Sequence, residues 1–435
     1  MSHTIQPGPR SGLFRAPSSK SHLHRLLILA ALGRETVRIR KVDASGDVTA
    51  TARCLTALGA PVREEADSFT VTPFPRDAAG RLLPDPGGEL RVLPCAESGA
   101  TLRFMMALAG LRGSNACLLR EGRLTARPIA PFDAALRAHG MTVEERGANV
   151  YVSGTLRSGI WQLPGNVSSQ FTSALLLSLP FADGDSVLRV QAPVESSSYV
   201  DMTEQVLELA GAAPDKAQLA HKNGGALAWD DLFWIAGGRQ AALPRETAAE
   251  GDFSAAAVFL CIGALSPQGL AVTGLSPRSR QGDMAILDIL QNMGADIGAS
   301  PDVVAVRHAP LKAVDIDASQ VPDLVPPLAV LAATAMGDTR FLNAGRLRLK
   351  ESDRLAGTLD LLHDLGVQAR VRDDVLQVHG GTIRGGSVRT LGDHRLAMAA
   401  AAAACAAREP VTIDNADCVA KSFAGFWNAF GQLQR

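Results

Sequence analysis

The stretch LRAHGMTV (Leu136–Val143) ends an apolar helical pattern on Gly140 and goes straight into a β-branched strand. The same junction occurs at LTALGAPV (Leu55–Val62), LELAGAAP (Leu207–Pro214), LQNMGADI (Leu290–Ile297) and LHDLGVQA (Leu362–Ala369), and WNAFGQLQ (Trp427–Gln434) is a candidate sixth copy. Glycine suits this position because it tolerates the left-handed conformation that closes a helix. The glycines at 59, 140, 211, 294, 366 and 431 lie 65 to 83 residues apart, a period that signals internal repetition.

A second pattern runs at the same period. Strongly apolar helices lead through a short turn into a strand at Arg25–Ile39, Arg103–Leu119 and Gln170–Val190, and again at Ala255–Gly274, Pro326–Asn343 and Arg395–Ile413. Each repeat therefore offers an apolar helix, a strand, an amphipathic helix and one or two further strands. Helices apolar nearly all round belong at the centre, with sheets covering them. Six copies divide most simply into two domains of three: 16–239, and 1–15 with 240–435. Ala236–Arg239 followed by Pro244 marks the expected crossing, and Pro73–Pro94 reads as a loop or hairpin insertion. Pro7, Gly8 and Pro9 leave open which domain the first strand joins.

Composition narrows the class. In 435 residues, 46% are hydrophobic and 20% charged, enough apolar material for sizeable cores. Lys plus Arg is 43 against 44 for Asp plus Glu, a balance that gives no support to a nucleic-acid or anionic-membrane surface. The six cysteines contain no CxxC pair, so neither a zinc ribbon nor a disulfide framework is expected, and a reducing compartment fits better. The opening residues lack the apolar core of a secretory signal. Leu396–Ala407, the longest apolar run, is shorter than the roughly 18 to 20 residues of a membrane helix and reads as a buried one. A soluble, cytoplasmic, monomeric protein is expected.

The charges are placed unusually. Lys20, Ser21 and Arg25, then Ser98, Gly99 and Arg103, then Ser168, Ser169 and Gln170, stand at starts of apolar helices; so do Asp323, and Asp393 with His394 and Arg395. Arg127, Ser196–Tyr199, Lys350–Arg354 and Lys421 precede the amphipathic helices, with Pro128 suited to a first helical position. A helix N-terminus favours anions, so each cation there costs roughly 0.3 to 1 kcal/mol. Lys350 and Arg354, four apart, add a like-charge contact worth a few tenths. Taken singly, the serines and Asp323 read as N-caps, and lone arginines as solvated charges. His22 and His24 read as a polar helix face, and the cysteines as packed hydrophobes. Recurrence at equivalent positions points instead to bound anions.

These motifs resemble those of the enolpyruvyltransferase family, in particular the 5-enolpyruvylshikimate-3-phosphate synthases. They run in the family's order over nearly the whole chain: PSSKSHLHR (Pro17–Arg25), ESGATLR (Glu97–Arg103), RPI (Arg127–Ile129), GNVSSQF (Gly165–Phe171), SSSYVDMT (Ser196–Thr203) and EGDFSAAA (Glu250–Ala257). RQGD (Arg280–Asp283), Pro322-Asp323, RLRLKESDRL (Arg346–Leu355), GDHRLAM (Gly392–Met398) and AKSF (Ala420–Phe423) follow. The resemblance implies an α/β fold, a two-domain inside-out barrel of six βαβαββ units with the active site between the domains. It implies transfer of the enolpyruvyl group of phosphoenolpyruvate to the 5-hydroxyl of shikimate 3-phosphate, releasing phosphate, without metal or cofactor. Closure of the cleft by the bound anions is also expected.

By similarity, Lys20, Ser21, Arg25, Ser168, Ser169, Gln170, Ser196, Asp323 and Lys350 hold shikimate 3-phosphate. Lys20, Gly99, Arg127, Gln170, Arg354, Arg395 and Lys421 hold phosphoenolpyruvate, since arginine forks suit carboxylates and phosphates. Asp323 is the expected base at the 5-hydroxyl, Glu351 the proton donor and acceptor at carbon, and Lys20 the group that assists departure of phosphate. Lys350 and Arg354 are expected to hold Glu351 ionised. The chain departs from the family pattern at Ser18, Leu23, Glu97, Ala100 and Arg346, which bears on affinity rather than on the proton-transfer groups. The sibling enzymes acting on UDP-N-acetylglucosamine carry a reactive Cys on the loop matching Arg120–Arg127, and REGRLTAR has none. A non-catalytic anion-binding scaffold would not require Lys20, Asp323 and Glu351 together, and an RNA-processing relative would need a broad basic surface.

Overall fold

The computed structural model describes residues 2–223, 226–301 and 303–434. Among the described residues twelve helices alternate in character. The odd-numbered set is α1 (Lys20–Ala31), α3 (Gly99–Arg112), α5 (Ser169–Leu176), α7 (Phe253–Leu265), α9 (Val325–Ala332) and α11 (His394–Ala404). Between them come α2 (Gly46–Ala57), α4 (Phe132–Ala138), α6 (Ser198–Leu209), α8 (Ile286–Met293), α10 (Arg354–Asp364) and α12 (Phe426–Gln432). The odd helices are buried on nearly every side, α9 and α11 at every residue. The even helices bury one face and keep the other in water, as their sequences require.

Among the described residues six sheets accompany the helices, and five share one four-strand topology. In the clearest case Arg91–Pro94 pairs parallel with Ala116–Leu119, which pairs antiparallel with Asn149–Gly154, and that strand with Met141–Arg146. The parallel pair flanks an odd helix, the central strand leads into an even helix, and a hairpin closes the unit, giving βαβαββ. The sixth sheet has three strands: Gly386–Val388 lies parallel to Val411–Ile413, and the N-terminal strand His3–Ile5 supplies the antiparallel partner. No sheet closes on itself among the described residues.

The chain forms two compact units, one of residues 20–41 and 47–249, the other of residues 1–19, 42–46 and 250–435. These bounds differ from the expected 16–239 and 1–15 with 240–435, and strand borrowing explains why. Glu246–Ala248 is the parallel edge beside Val37–Arg40, so the 20–249 unit continues past Pro244. Gly12–Arg15 plays that part beside Leu270–Thr273, so both N-terminal strands belong with the 250–435 unit. In that unit α7, α9 and α11 pack into one hydrophobic core with Phe14 stacked on Phe259, ring centroids 3.6 Å apart.

Other expectations change. Gly59, Gly140, Gly211, Gly294 and Gly366 all have positive φ, whereas Gly431 does not and lies inside α12. The last repeat ends in a helix that closes against the core rather than in a hairpin, so it requires no left-handed cap there. Pro128 is not a first helical residue. A 3₁₀ turn (Gly122–Ala126) is followed by extended backbone at Arg127, a cis Ala130–Pro131 bond and α4 at Phe132. Of the Pro73–Pro94 insertion, Arg91–Pro94 is the sheet-edge strand and the remainder a loop. Among the described residues no helix is long and apolar enough to cross a membrane.

Candidate active site

In the 20–249 unit the helix starts are joined by one ion pair and by hydroxyls and other neutral groups. Lys20 opens α1 and its Nζ lies 3.0 Å from Asp47 Oδ2 on α2. The Thr101 hydroxyl donates to the Asp47 carbonyl at 3.2 Å and to Ser98 Oγ at 2.7 Å, and Ser98 caps α3. Thr51 Oγ1 is 2.7 Å from Thr101 Oγ1 and 2.7 Å from His24 Nδ1. His24 and His22 are buried, not on a polar face: α1 packs against α6 and the strands Val37–Arg40 and Ser68–Val71. Burial, and then Lys20 and Arg25, push the His24 imidazole well below its usual range, so it stays neutral.

One step further, Gly99 is the first residue of α3, and a Cβ there would lie 2.5 Å from Arg127 Nη1 and 2.6 Å from Arg103 Nη1. A hydrogen at this position is what lets two guanidinium groups stand beside the start of the helix. Arg103 donates to the Gly99 carbonyl at 3.1 Å, the Pro128 carbonyl at 2.9 Å and Gln170 Oε1 at 2.8 Å. Gln170 is the second residue of α5, which opens with Ser169 after Ser168 caps it by accepting from the Gln170 N–H. Lys20, Gly99, Ser168, Ser169 and Gln170 are thus connected through a few short bonds and helix starts, with the Arg127 guanidinium beside Gly99.

Arg25 is 2% exposed and spends its donors inside the unit: on Thr203 Oγ1 (2.8 Å), Ser173 Oγ (3.2 Å), the Tyr199 carbonyl (2.8 Å) and the Ser21 carbonyl (2.7 Å). Burial lowers its pKa to about 10. Arg25 ties α1 to α5 and to the start of α6, next to Ser196, a buried residue held at φ 53°.

The 250–435 unit is built differently. Arg354 is the first residue of α10 and 1% exposed. Its Nη1 is 2.6 Å from Asp323 Oδ1, its Nη2 2.6 Å from Glu351 Oε2, and its Nε 2.9 Å from Asp393 Oδ2. Asp393 also accepts from Ser352 Oγ at 3.0 Å while capping α11 through the Arg395 N–H. Arg395 Nη2 approaches Asp323 Oδ2 to 3.6 Å, whereas its buried Nε and Nη1 have no hydrogen-bond partner. Asp323 is not an N-cap: it lies two residues before α9, and Leu324 takes the cap position.

Burial alone would raise the Asp323 carboxyl, but Lys350, Arg395 and Arg354 outweigh it and hold it well below the usual carboxylate range. The Lys350 ammonium is lowered, mainly by burial, against the pull of Asp323 and with repulsion from Arg354. The expected helical i,i+4 contact of Lys350 with Arg354 is absent. Lys350 ends the 3₁₀ turn Ala344–Leu349 in extended backbone, and its repulsion acts across a loop.

Three turns repeat one device. Gly122, Asn343 and Asn415 each take positive φ at or just before a 3₁₀ segment, and Arg127, Lys350 and Lys421 follow at or after its end. The Cys418 thiol in the last turn faces Thr390 and Asp393, which brings the Lys421 segment beside the α11 cap. The structure adds Asp47, Arg103 and Asp393 to the candidate residues. Sequence offered a signal only for the last two, through their place in ESGATLR and GDHRLAM.

Residues 5–430 match the family described as EPSP synthase (3-phosphoshikimate 1-carboxyvinyltransferase). The chain belongs to the EPSP synthase family. Relatives named 3-phosphoshikimate 1-carboxyvinyltransferase agree with it along their length. That of Clostridium kluyveri is 35% identical over 99% of this chain and 96% of its own, and that of Methanoculleus marisnigri 37% identical over 98% and 97%. The solved EPSP synthase of Acinetobacter baumannii has the same fold (TM-score 0.77, 22% identity, all of both chains). So does the enolpyruvyl transferase NikO of Streptomyces tendae (TM-score 0.71, 22% identity, 99% and 96%). Among the described residues no three His, Cys, Asp or Glu side chains group as a metal site.

Proposed function

We propose that this EPSP synthase family member transfers the enolpyruvyl group of phosphoenolpyruvate to the 5-hydroxyl of shikimate 3-phosphate and releases inorganic phosphate. Family membership supports the reaction, and the observation that carries the residue assignment is the Arg354 cluster. One buried guanidinium holds Asp323 and Glu351 at 2.6 Å each, bringing two proton-transfer groups together beside the anion-binding Arg395.

In the addition step the 5-hydroxyl oxygen bonds to C2 of phosphoenolpyruvate. Its proton passes to Asp323 while Glu351, having first taken up a proton from solvent, protonates the methylene carbon. In the elimination Glu351 takes a proton back from the new methyl group as the bond from C2 to the phosphate oxygen breaks. The proton first taken from the hydroxyl leaves with phosphate, which Lys20 assists. Asp323, held ionised by three cations, is always ready to accept but is a weak base, so positioning must supply much of the rate.

Ser21, Arg25, Ser168, Ser169, Gln170, Ser196 and Lys350, with Lys20 and Asp323, are assigned to shikimate 3-phosphate. Lys20, Gly99, Arg127, Gln170, Arg354, Arg395 and Lys421 are assigned to phosphoenolpyruvate. That residues of both units serve one substrate pair is part of the proposal. Arg25 and Arg354 come with a condition: both already spend donors on protein groups, so each contributes chiefly charge and support unless a partner is exchanged. Phosphate release should require shikimate 3-phosphate together with phosphoenolpyruvate. Release with UDP-N-acetylglucosamine in place of shikimate 3-phosphate would overturn the reading.

A further inference from the structure

The RQGD motif leaves one residue unused by this chemistry. Asp283, in the 3₁₀ turn Gly282–Ala285, is 5% exposed and accepts from the Ser254 hydroxyl of α7. The charged groups facing it are Asp252 at the cap of α7, Asp323 before α9 and Arg395 on α11. Three carboxylates thus surround one guanidinium, and the neighbouring Arg354 is already divided among Asp393, Glu351 and Asp323. Yet Arg395 keeps buried Nε and Nη1 donors without partners, an arrangement that invites an anion into a pocket already rich in negative charge.

We propose that Asp283 is a positioning residue that takes up a proton from solvent when an anion docks on Arg395, so that the pocket does not accumulate uncompensated charge. The inference rests on the assignment of Arg395 to phosphoenolpyruvate. Of the three carboxylates, Asp323 is held by Arg354 and Arg395, and Asp252 accepts the Ala255 N–H at 2.8 Å at a helix N-terminus. Among the described residues Asp283 accepts only from a neutral hydroxyl, so its ionised form is the least supported. Burial, and next the charge of Asp323, push its carboxyl up to about 7 against the pull of Ser254 and Arg395. A docked anion raises it further. The sign follows: above about pH 7 the empty pocket holds Asp283 ionised, binding must draw a proton, and affinity for the anion falls as pH rises.

The test is the Michaelis constant for phosphoenolpyruvate, at saturating shikimate 3-phosphate, between about pH 6.5 and 8.5. For the unmodified chain it should rise about tenfold, with kcat changing less. Asp283→Asn keeps an acceptor for Ser254 and should flatten the rise to within about twofold; any part due to the ligand's own titration persists in the variant, so the difference between the two profiles belongs to Asp283. If Asp283→Asn does not fold, Ser254→Ala removes the support of the ionised form and should move the rise to higher pH. An unchanged rise in either folded variant, or a flat profile in the unmodified chain, overturns the inference alone. A chain that releases no phosphate from this substrate pair at any pH overturns the functional reading as well.

Discussion

The two units solve the same problem, a cation at a helix start, with opposite chemistry. Around α1, α3 and α5 the cations meet hydroxyls, carbonyls and one amide, and Lys20 pairs with the Asp47 carboxylate. Around α9, α10 and α11 the guanidinium groups are embedded in carboxylates. A scaffold built mainly of neutral donors and acceptors places few proton-transfer groups against its cations. A carboxylate scaffold places proton-transfer groups against the same cations and makes the site respond to pH.

The difference can be broken most forcefully at the two buried arginines. Arg354→Ala strands Asp323, Glu351 and Asp393, and should cost about 3–5 kcal/mol in denaturant unfolding. Arg25→Ala strands only hydroxyls and carbonyls, and should cost about 2 kcal/mol. Equal losses would erase the distinction. Thr51→Val cuts the chain from His24 to Thr101 and should cost roughly 1–3 kcal/mol, with Thr51→Ser restoring most of it. Gly99→Ala pushes a methyl group into the space of Arg103 and Arg127. It should raise the Michaelis constant for phosphoenolpyruvate about tenfold while moving stability little.

The smallest effect is the sharpest. His24 is held neutral, so below its unfolded pKa of about 6.5 the unfolded chain binds the extra proton and stability falls as pH drops. Asp283 is pushed up, so between about pH 4 and 7 the folded chain binds the extra proton and stability falls as pH rises. His24→Asn and Asp283→Asn should each flatten one slope, by at most about 1.4 kcal/mol per pH unit, and in opposite directions. Unfolding followed across this range checks both.

Much of this was legible in the chain because repetition multiplies weak signals. Five of the six helix-end glycines sit where a left-handed residue is required, and the apolar helices lie at the centre. One borrowed strand was not legible. Glu246–Ala248 carries no mark of the sheet it joins, because an edge strand's partner is set by topology rather than by local pattern. Nor did the polarity of His24 reveal its burial, since the partner of its Nδ1, Thr51, lies 27 positions away. Asp47 was hidden for the same reason: its partner Lys20 lies on another helix. The motif residues drew attention to Arg354 and Asp393, but not to the sharing of one guanidinium by three carboxylates.

The most direct measurement is the rate of phosphate release from shikimate 3-phosphate and phosphoenolpyruvate by folded Glu351→Gln and Asp323→Asn chains beside the unmodified one. Loss of the proton-transfer groups should lower kcat by about 10²–10⁴ in each. Turnover at the unmodified rate by either variant would contradict the role given to that carboxylate.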